Sequence, residues 1–389
     1  MSTDHRNSRR IQTLAVHGGE NRTGHAGSLV FPIYQGTVYA VEPGTSYDDI
    51  KYIRLSTTPS QQYLHAKLAS LEGAQEAVAT SSGMAALSAI LLGFLKKGDH
   101  VLAGDCLYGG THAFLHAHAG DLGLEFTLVD PHAPETWGRA VRPSTRLFLV
   151  ETITNPLMRV PRLREVVSFA REHRLLSVVD NTFASPVNFN PLAIGLDLAF
   201  HSATKYLNGH SDLVAGCVAG SSENVGKVRR MLNHLGGVLD PHAGYLLARG
   251  LKTMALRVAA QNRNADELAR ALAKHPAVLE VHHPGLESHP DHAVARDLLR
   301  GFGGMLSFRP RGGVAAADRL LSLVTLPFVA PSLGGVETLM TRPATTSHAG
   351  LSAEERRRAG IEDDLIRLSC GIEDTRDLVE DLSQALDRV

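Results

Sequence analysis

The sequence predicts an α/β protein: a mostly parallel sheet between helices, followed by a smaller C-terminal α+β domain. Three observations carry that prediction. Apolar runs such as Leu147–Glu151, Ser177–Asp180 and Asp197–His201 are continuous, not alternating, as in strands buried on both faces. Helix-length segments separate the runs, as parallel connections require. The 389 residues exceed what one hydrophobic core supports and suit about two domains.

Residues 1–54 lack sustained periodicity and mix Gly and Pro with Phe31, Tyr34, Tyr39, Tyr47 and Tyr52. They read as an extended N-terminal arm that packs on something else. Residues 55–250 read as the α/β domain. Pro59-Ser60 opens a helix with Leu64, Leu68 and Leu71 on one face, and Gly73 closes it. Ala77–Thr80, His100–Ala103 and Glu125–Val129 add strands to the three runs above. Ser82–Leu95 reads as a core helix and Pro161–His173 as an amphipathic one. A helical region from Gly244 to Lys274, broken near Gly250, leads into residues 251–389, the α+β domain. There Val278–Val281, Gly303–Phe308 and Leu365–Ser369 supply strands, and helices fall at Val314–Leu323 and from Asp374 onward.

Composition removes several function classes. Apolar content of 43% and charged content of 20% describe an ordinary globular chain. With 39 basic and 40 acidic side chains there is no electrostatic case for nucleic acid or an anionic membrane surface as partner. The longest apolar run, Ala85–Leu95, is too short to span a bilayer. Cys106, Cys217 and Cys370 are widely spaced, odd in number and without CxxC, which fits reduced thiols in the cytoplasm. The polar start through Arg10 does not read as a signal peptide. No GxGxxG, GxxxxGK[ST], HExxH or GxSxG occurs, so dinucleotide-linked hydride transfer and P-loop phosphoryl transfer lose their best support. His112, His116 and His118 cluster, but without thiolates or an ordered carboxylate set no metal is expected.

The chemistry centres on His201-Ser202-Ala203-Thr204-Lys205. A lysine at the mouth of a buried strand is costly to desolvate, and an amine nucleophile or imine former is the usual reason to place one there. Thr80-Ser81-Ser82-Gly83-Met84 is a strand end, two hydroxyls, a glycine and a helix start, a pattern that leaves amide N–H groups free for an anion. Asp180 ends an apolar run and needs a cationic or donor partner. Tyr108, in Leu107-Tyr108-Gly109-Gly110, offers an aromatic face with room around it. An amine, an anion cradle, a carboxylate and an aromatic plate at one sheet edge match the needs of pyridoxal 5′-phosphate. Lys205 would form the imine. Asp180 would keep the ring nitrogen protonated. Gly83 and Met84 amides with the Ser202 and Thr204 hydroxyls would hold the phosphate, and Tyr108 would stack on the ring.

The chain resembles the Cys/Met-metabolism family of pyridoxal-phosphate enzymes, the group of cystathionine γ-lyase, cystathionine γ-synthase, cystathionine β-lyase and methionine γ-lyase. The resemblance rests on SSGMAA (Ser81–Ala86), LYGGT (Leu107–Thr111), ETITNP (Glu151–Pro156), VDNTFASP (Val179–Pro186), HSATKYLNGHSD (His201–Asp212), SLGGVETL (Ser332–Leu339) and RLSCGIED (Arg367–Asp374), in that order. It implies the aspartate-aminotransferase-type fold, PLP fold type I, and a homotetramer with sites shared across a dimer. It implies that Tyr52 and Arg54 reach the cofactor phosphate of a neighbouring subunit. It also implies that Arg367 grips the substrate α-carboxylate with help from Asn155 and Ser332, and that Glu337 marks γ chemistry.

Three places depart from the family pattern, Lys51, Thr58-Pro59-Ser60 and His112-Ala113, and Gly110 stands where methionine γ-lyases often carry a cysteine. The expected function is a C–S lyase or γ-replacement enzyme acting on a sulfur amino acid, most like cystathionine γ-lyase. A γ-synthase, β-lyase or methionine γ-lyase is the alternative within the family. An aminotransferase or a non-catalytic binding protein lies further off. Lys205 is the expected base at Cα, and Tyr108 the expected acid at the leaving sulfur.

Overall fold

The computed structural model describes residues 9–20 and 25–389; residues 1–8, most of the polar N-terminal stretch, lie outside the described residues. The larger sheet has strands β1 (Glu76–Thr80), β2 (His100–Gly104), β3 (Glu125–Val129), β4 (Thr145–Glu151), β5 (Leu176–Asp180), β6 (Leu198–His201) and β7 (Gly216–Gly220). Their spatial order is β1-β7-β6-β5-β4-β2-β3. β2 to β6 pair in parallel with one another, while β7 runs antiparallel to both β1 and β6. The two faces of β4 feed different cores. Phe148 and Val150 meet Leu64, Leu68 and Val179 on one side, and Leu147 and Leu149 meet Leu87, Val101 and Val178 on the other. Burial on both sides explains the continuous apolar runs.

β7 and the helix after it, Ser222–Leu235, are absent from the sequence reading. Gly-Cys-Val-Ala-Gly has weak strand propensity. It becomes a strand because it fits between β1 and β6, where space is short: a Cβ at Gly216 would lie 2.2 Å from the Ser82 carbonyl oxygen.

Local signals hold better. The helix Pro59–Glu72 starts at a capping box between Thr58 and Gln61 and ends at Gly73 with φ of 67°. Leu64, Leu68 and Leu71 are buried on it, each stabilising the fold by about 2 kcal/mol. The region after residue 240 is two helices, Pro241–Leu251 and Met254–Leu272.

The smaller sheet has β8 (Val278–His282), β9 (Met305–Pro310), β10 (Phe328–Val329), β11 (Leu339–Thr341) and β12 (Ile366–Ser369), in the order β10-β11-β12-β9-β8. The helices Met254–Leu272, Gly313–Leu323 and Thr375–Leu386 share its core with Leu306, Phe308, Ile366 and Leu368. Strand alternation then sends Arg367, between Ile366 and Leu368, to the opposite face, toward the large sheet.

The N-terminal segment is not extended throughout. Ile11–His17 is a helix packed on the helix Pro59–Glu72, and the buried Lys67 Nζ donates to the carbonyls of Val16 at 3.1 Å and Gly18 at 3.4 Å. The later part runs differently. It is mostly irregular and exposes Leu29, Val30, Val38 and Val41.

Candidate active site

The carboxyl ends of β4, β5 and β6 open into a cavity of about 680 Å³. Such edges are where open parallel sheets take their ligands. Of the residues singled out in the sequence, Gly83, Met84, Tyr108, Asn155, Asp180, Ser202, Thr204, Lys205, Ser332 and Arg367 all line it. Tyr52, Arg54 and Glu337 do not. Arg54 donates to the Asn233 carbonyl at 3.2 Å and sits 5.5 Å from the Tyr52 ring centroid, while Glu337 accepts from the Ser211 hydroxyl at 3.2 Å.

Lys205 follows β6 on a loop held by the buried Arg257. That guanidinium donates to the carbonyls of Tyr206 at 2.9 Å and Gly250 at 2.8 Å. The Lys205 Nζ donates to Ser332 Oγ at 2.7 Å. Burial, with the nearby Arg367 charge adding to it, lowers the Lys205 pKa to about 8. The neutral amine, the form a nucleophile or base requires, is therefore far more populated near physiological pH than for an ordinary lysine, though still the minority form. Ser332 holds its place at a φ of 96°, which non-glycine residues rarely adopt. Two residues on, Gly334 is obligatory, because a Cβ there would lie 2.7 Å from the Tyr206 amide nitrogen.

Arg367 is buried, and Nη1 donates to Asn155 Oδ1 at 2.9 Å while Nη2 donates to the Ser332 carbonyl at 3.1 Å. Burial lowers its pKa to about 10, which leaves it cationic at neutral pH. A fixed planar fork of this kind suits a carboxylate.

At the start of the helix Gly83–Phe94, Ser82 caps by accepting from the Ala85 amide at 3.0 Å. The leading amides of Gly83 and Met84 have no acceptor in a preceding turn. A Cβ on Gly83 would lie 2.9 Å from the Ser202 Cβ, so the glycine brings the helix start against the Ser202 segment. Of the two hydroxyls expected there, that of Thr204 already bonds the Ala215 carbonyl at 3.2 Å and accepts the Ala215 amide at 3.0 Å. Gly110 serves Tyr108 in a similar way: a Cβ there would lie 2.6 Å from Tyr108 Cε1 and 3.3 Å from Met84 Sδ.

Two residues that the sequence places at strand ends, without a role, also contribute. Thr182 donates to the Asp180 carboxylate through both its amide, at 2.9 Å, and its hydroxyl, and the same hydroxyl accepts the Ser202 amide at 2.9 Å. It thus ties the carboxylate to the lysine loop. Glu151 pairs in register with Asp180 across β4 and β5 and accepts the Tyr108 amide. Burial, reinforced by Asp180, holds the Glu151 carboxyl well above the usual range. Burial also raises Asp180, while the Thr182 bonds and the His201 charge pull it down. The two adjacent carboxyls therefore favour one shared negative charge over two. The β5-Thr182 spacing in Asp180-Asn181-Thr182 was a usable signal, since a hydroxyl two residues after an aspartate commonly bonds it.

A family model described as Cys/Met metabolism PLP-dependent enzyme matches residues 12–387. The cystathionine gamma-lyase of Bacillus subtilis (strain 168) is 40% identical over 379 residues, covering 97% of this chain and 99% of that relative. The L-methionine gamma-lyase of Pseudomonas putida is 40% identical over 384 residues, 96% of each chain. The crystal structure of cystathionine gamma-lyase from Lactobacillus plantarum complexed with L-serine superposes with a TM-score of 0.93 at 34% identity, covering 97% of this chain and 99% of that one. The chain belongs to the Cys/Met-metabolism family and is a pyridoxal 5′-phosphate-dependent enzyme of the carbon–sulfur lyase and γ-synthase group.

Proposed function

We propose that this enzyme cleaves the Cγ–S bond of a sulfur L-amino acid, in the manner of a cystathionine γ-lyase. The observation that carries the reading is one pair of contacts: Lys205 Nζ on the Ser332 hydroxyl, and Arg367 on the Ser332 carbonyl and Asn155. A base and a carboxylate fork are thereby fixed relative to each other at a single residue.

The residues present fit the cofactor. The glycine-lined helix start suits its phosphate, Asp180 its ring nitrogen, Tyr108 its ring face and Lys205 its aldehyde carbon. When bound, pyridoxal phosphate supplies an electron sink for the carbanion developing at the substrate Cα. Arg367 and Asn155 hold the α-carboxylate and orient the Cα–H bond. Lys205, whose pKa burial lowers toward neutrality, takes the Cα proton in its neutral form and carries it one carbon along to Cβ. Tyr108 gives a proton to the departing sulfur. Asp180 keeps its charge against the ring nitrogen. With one water consumed, the products are a 2-oxoacid, ammonia and a thiol. The alternative outcome, capture by a second thiol, is γ-replacement.

One observation favours a second reading for the substrate tail. Among the described residues, Lys205 and Arg367 are the only cations lining the cavity, and the rim includes Val214, Pro331 and Leu333. This chain's own wall therefore offers no second cation for the far carboxylate of cystathionine, which favours methionine or homocysteine. Incubation with cystathionine, cysteine, homocysteine, methionine and an O-acylhomoserine plus cysteine tests both readings. 2-Oxobutyrate from cystathionine supports the first reading, 2-oxobutyrate from methionine or homocysteine but not from cystathionine the second, and pyruvate alone would replace both with β-elimination.

The exposed apolar residues between Leu29 and Val41, and the distance of Tyr52 and Arg54 from their own cavity, support assembly with another copy of the chain, as a homotetramer whose sites are completed in trans. The free thiols Cys106, Cys217 and Cys370 support a cytoplasmic location. No helix among the described residues is long and apolar enough to cross a membrane.

A further inference from the structure

Another cavity, of about 440 Å³, shares no lining residue with the active site. The turn after Arg54 forms one wall through Leu55, Ser56 and Thr57, and the helix Pro59–Glu72 adds His65. The helix Ser222–Leu235 forms the other wall through Gly226, Arg229 and Arg230. Two buried polar atoms of these lining residues, Ser56 Oγ and His65 Nε2, have no partner among the described residues. Ser56 is 2% exposed and His65 7%. Folded chains rarely leave a buried hydrogen-bonding group unmet, and at a cavity wall the partner comes from the cavity.

The charge of the walls selects the ligand. Arg229 Nη1 donates to Glu76 Oε1 at 2.6 Å, so that cation is already partly answered. Arg230 has no ion pair or hydrogen bond among the described residues. The lining therefore holds two guanidiniums against one carboxylate. His65 stays a neutral imidazole, since burial, with the Arg229 charge adding to it, holds its pKa down to about 3. It can offer an N–H to an oxygen atom. Glycine weakens a helix, yet Gly226 stands in the middle of this one. A Cβ there would meet only the Arg230 guanidinium, at 3.7 Å, so no neighbour demands the glycine and it leaves room beside Arg230. Thr57, Gln62 and Asn233 keep the rest of the lining polar, which does not suit an apolar ligand.

We propose that this cavity binds a small, multiply charged oxyanion, a phosphate or polycarboxylate group, with Arg229 and Arg230 on its oxygens and Ser56 and His65 as neutral donors. Donors on two walls need an anion with several oxygens, which a halide lacks. The occupant bridges the turn at residues 55–57 to the helix Ser222–Leu235. Arg54 precedes that turn, and its Nη1 donates to the carbonyl of Asn233, another lining residue, at 3.2 Å. A bound anion is thus placed to restrain Arg54. The site is independent of the reaction assigned to the active-site cavity.

The test is isothermal titration calorimetry of the pyridoxal-phosphate holoenzyme with inorganic phosphate, glycerol 3-phosphate and citrate, at an ionic strength held constant with sodium chloride. The bound cofactor keeps these anions out of its own phosphate cradle, and the chloride background removes simple charge screening. Wild type should bind at least one of the three, and the tightest identifies the group as free phosphate, phosphate ester or polycarboxylate. Arg230→Ala should weaken that anion about 10-fold or more, and Ser56→Gly about 2- to 10-fold. Both variants should fold, because Arg230 has no partner to lose and Ser56 sits at a φ of 59°, which glycine adopts freely. Retained cofactor absorbance checks this. An affinity that Arg230→Ala or Ser56→Gly leaves unchanged would place the anion elsewhere, for example on Arg367, and overturn the proposal. Wild type that binds none of the three above the chloride background would overturn it as well.

Discussion

Gly110 sits where a single methyl group would collide with the Tyr108 ring. Gly110→Ala should displace that ring and lower kcat while the protein stays folded, because the position is at a helix start and not in the core. A kinetic comparison with wild type checks this. Arg367→Ala removes charge-assisted hydrogen bonds worth about 1.5–3 kcal/mol, so KM should rise about 10- to 100-fold with a smaller change in kcat. An unchanged KM would remove Arg367 as the carboxylate fork. Lys205 gives a pH prediction for the cofactor-free protein. Only the neutral amine attacks an aldehyde, and its pKa is about 8. The rate of reconstitution with pyridoxal phosphate, followed by absorbance, should therefore rise with pH through about 8 and level off above it.

At the scale of elements, much of the site was legible because its residues sit at the ends of continuous apolar strands. Glu151, Asp180 and His201 each close a run that sequence marks plainly. What stayed hidden depends on distant partners. β7 has little propensity of its own and forms only in the slot between β1 and β6. Arg257 looks like any helix residue until the loop carrying Lys205 folds against it. Glu72 and His201 are separated by 129 positions, and only the packed helix brings them together. The arm poses the reverse case: its apolar side chains are visible in sequence, yet a single chain leaves them exposed. Mixing an Arg54→Ala protein with a Lys205→Ala protein, then allowing subunit exchange, should restore activity above that of either alone if Arg54 acts in a neighbour's site. No gain would confine Arg54 to its own chain.

For the whole molecule, burial sets the acid response. His65 is held down to about 3, and His283, His289 and His348 to about 4, each chiefly by desolvation. Their folded pKa values lie below the unfolded value near 6.5, so the unfolded chain binds more protons between about 4 and 6.5. Stability from these four groups is present above pH 6.5 and is lost as pH falls toward 4, by up to about 1.4 kcal/mol per unit for each. Asp105, Glu151 and Asp180, raised by burial, act in the opposite sense, but they are fewer than the lowered imidazoles. The thermal midpoint should fall on acidification from pH 7 to 5, and a flat profile would contradict the buried neutral imidazoles.

All of the chemistry assigned to the cavity depends on which amine carries the cofactor. Borohydride reduction of the holoenzyme, followed by peptide mapping, reads that directly. The account predicts a pyridoxyl group on the peptide containing Lys205 and loss of the label in Lys205→Ala. Label on another lysine, with Lys205 unmodified, would contradict it.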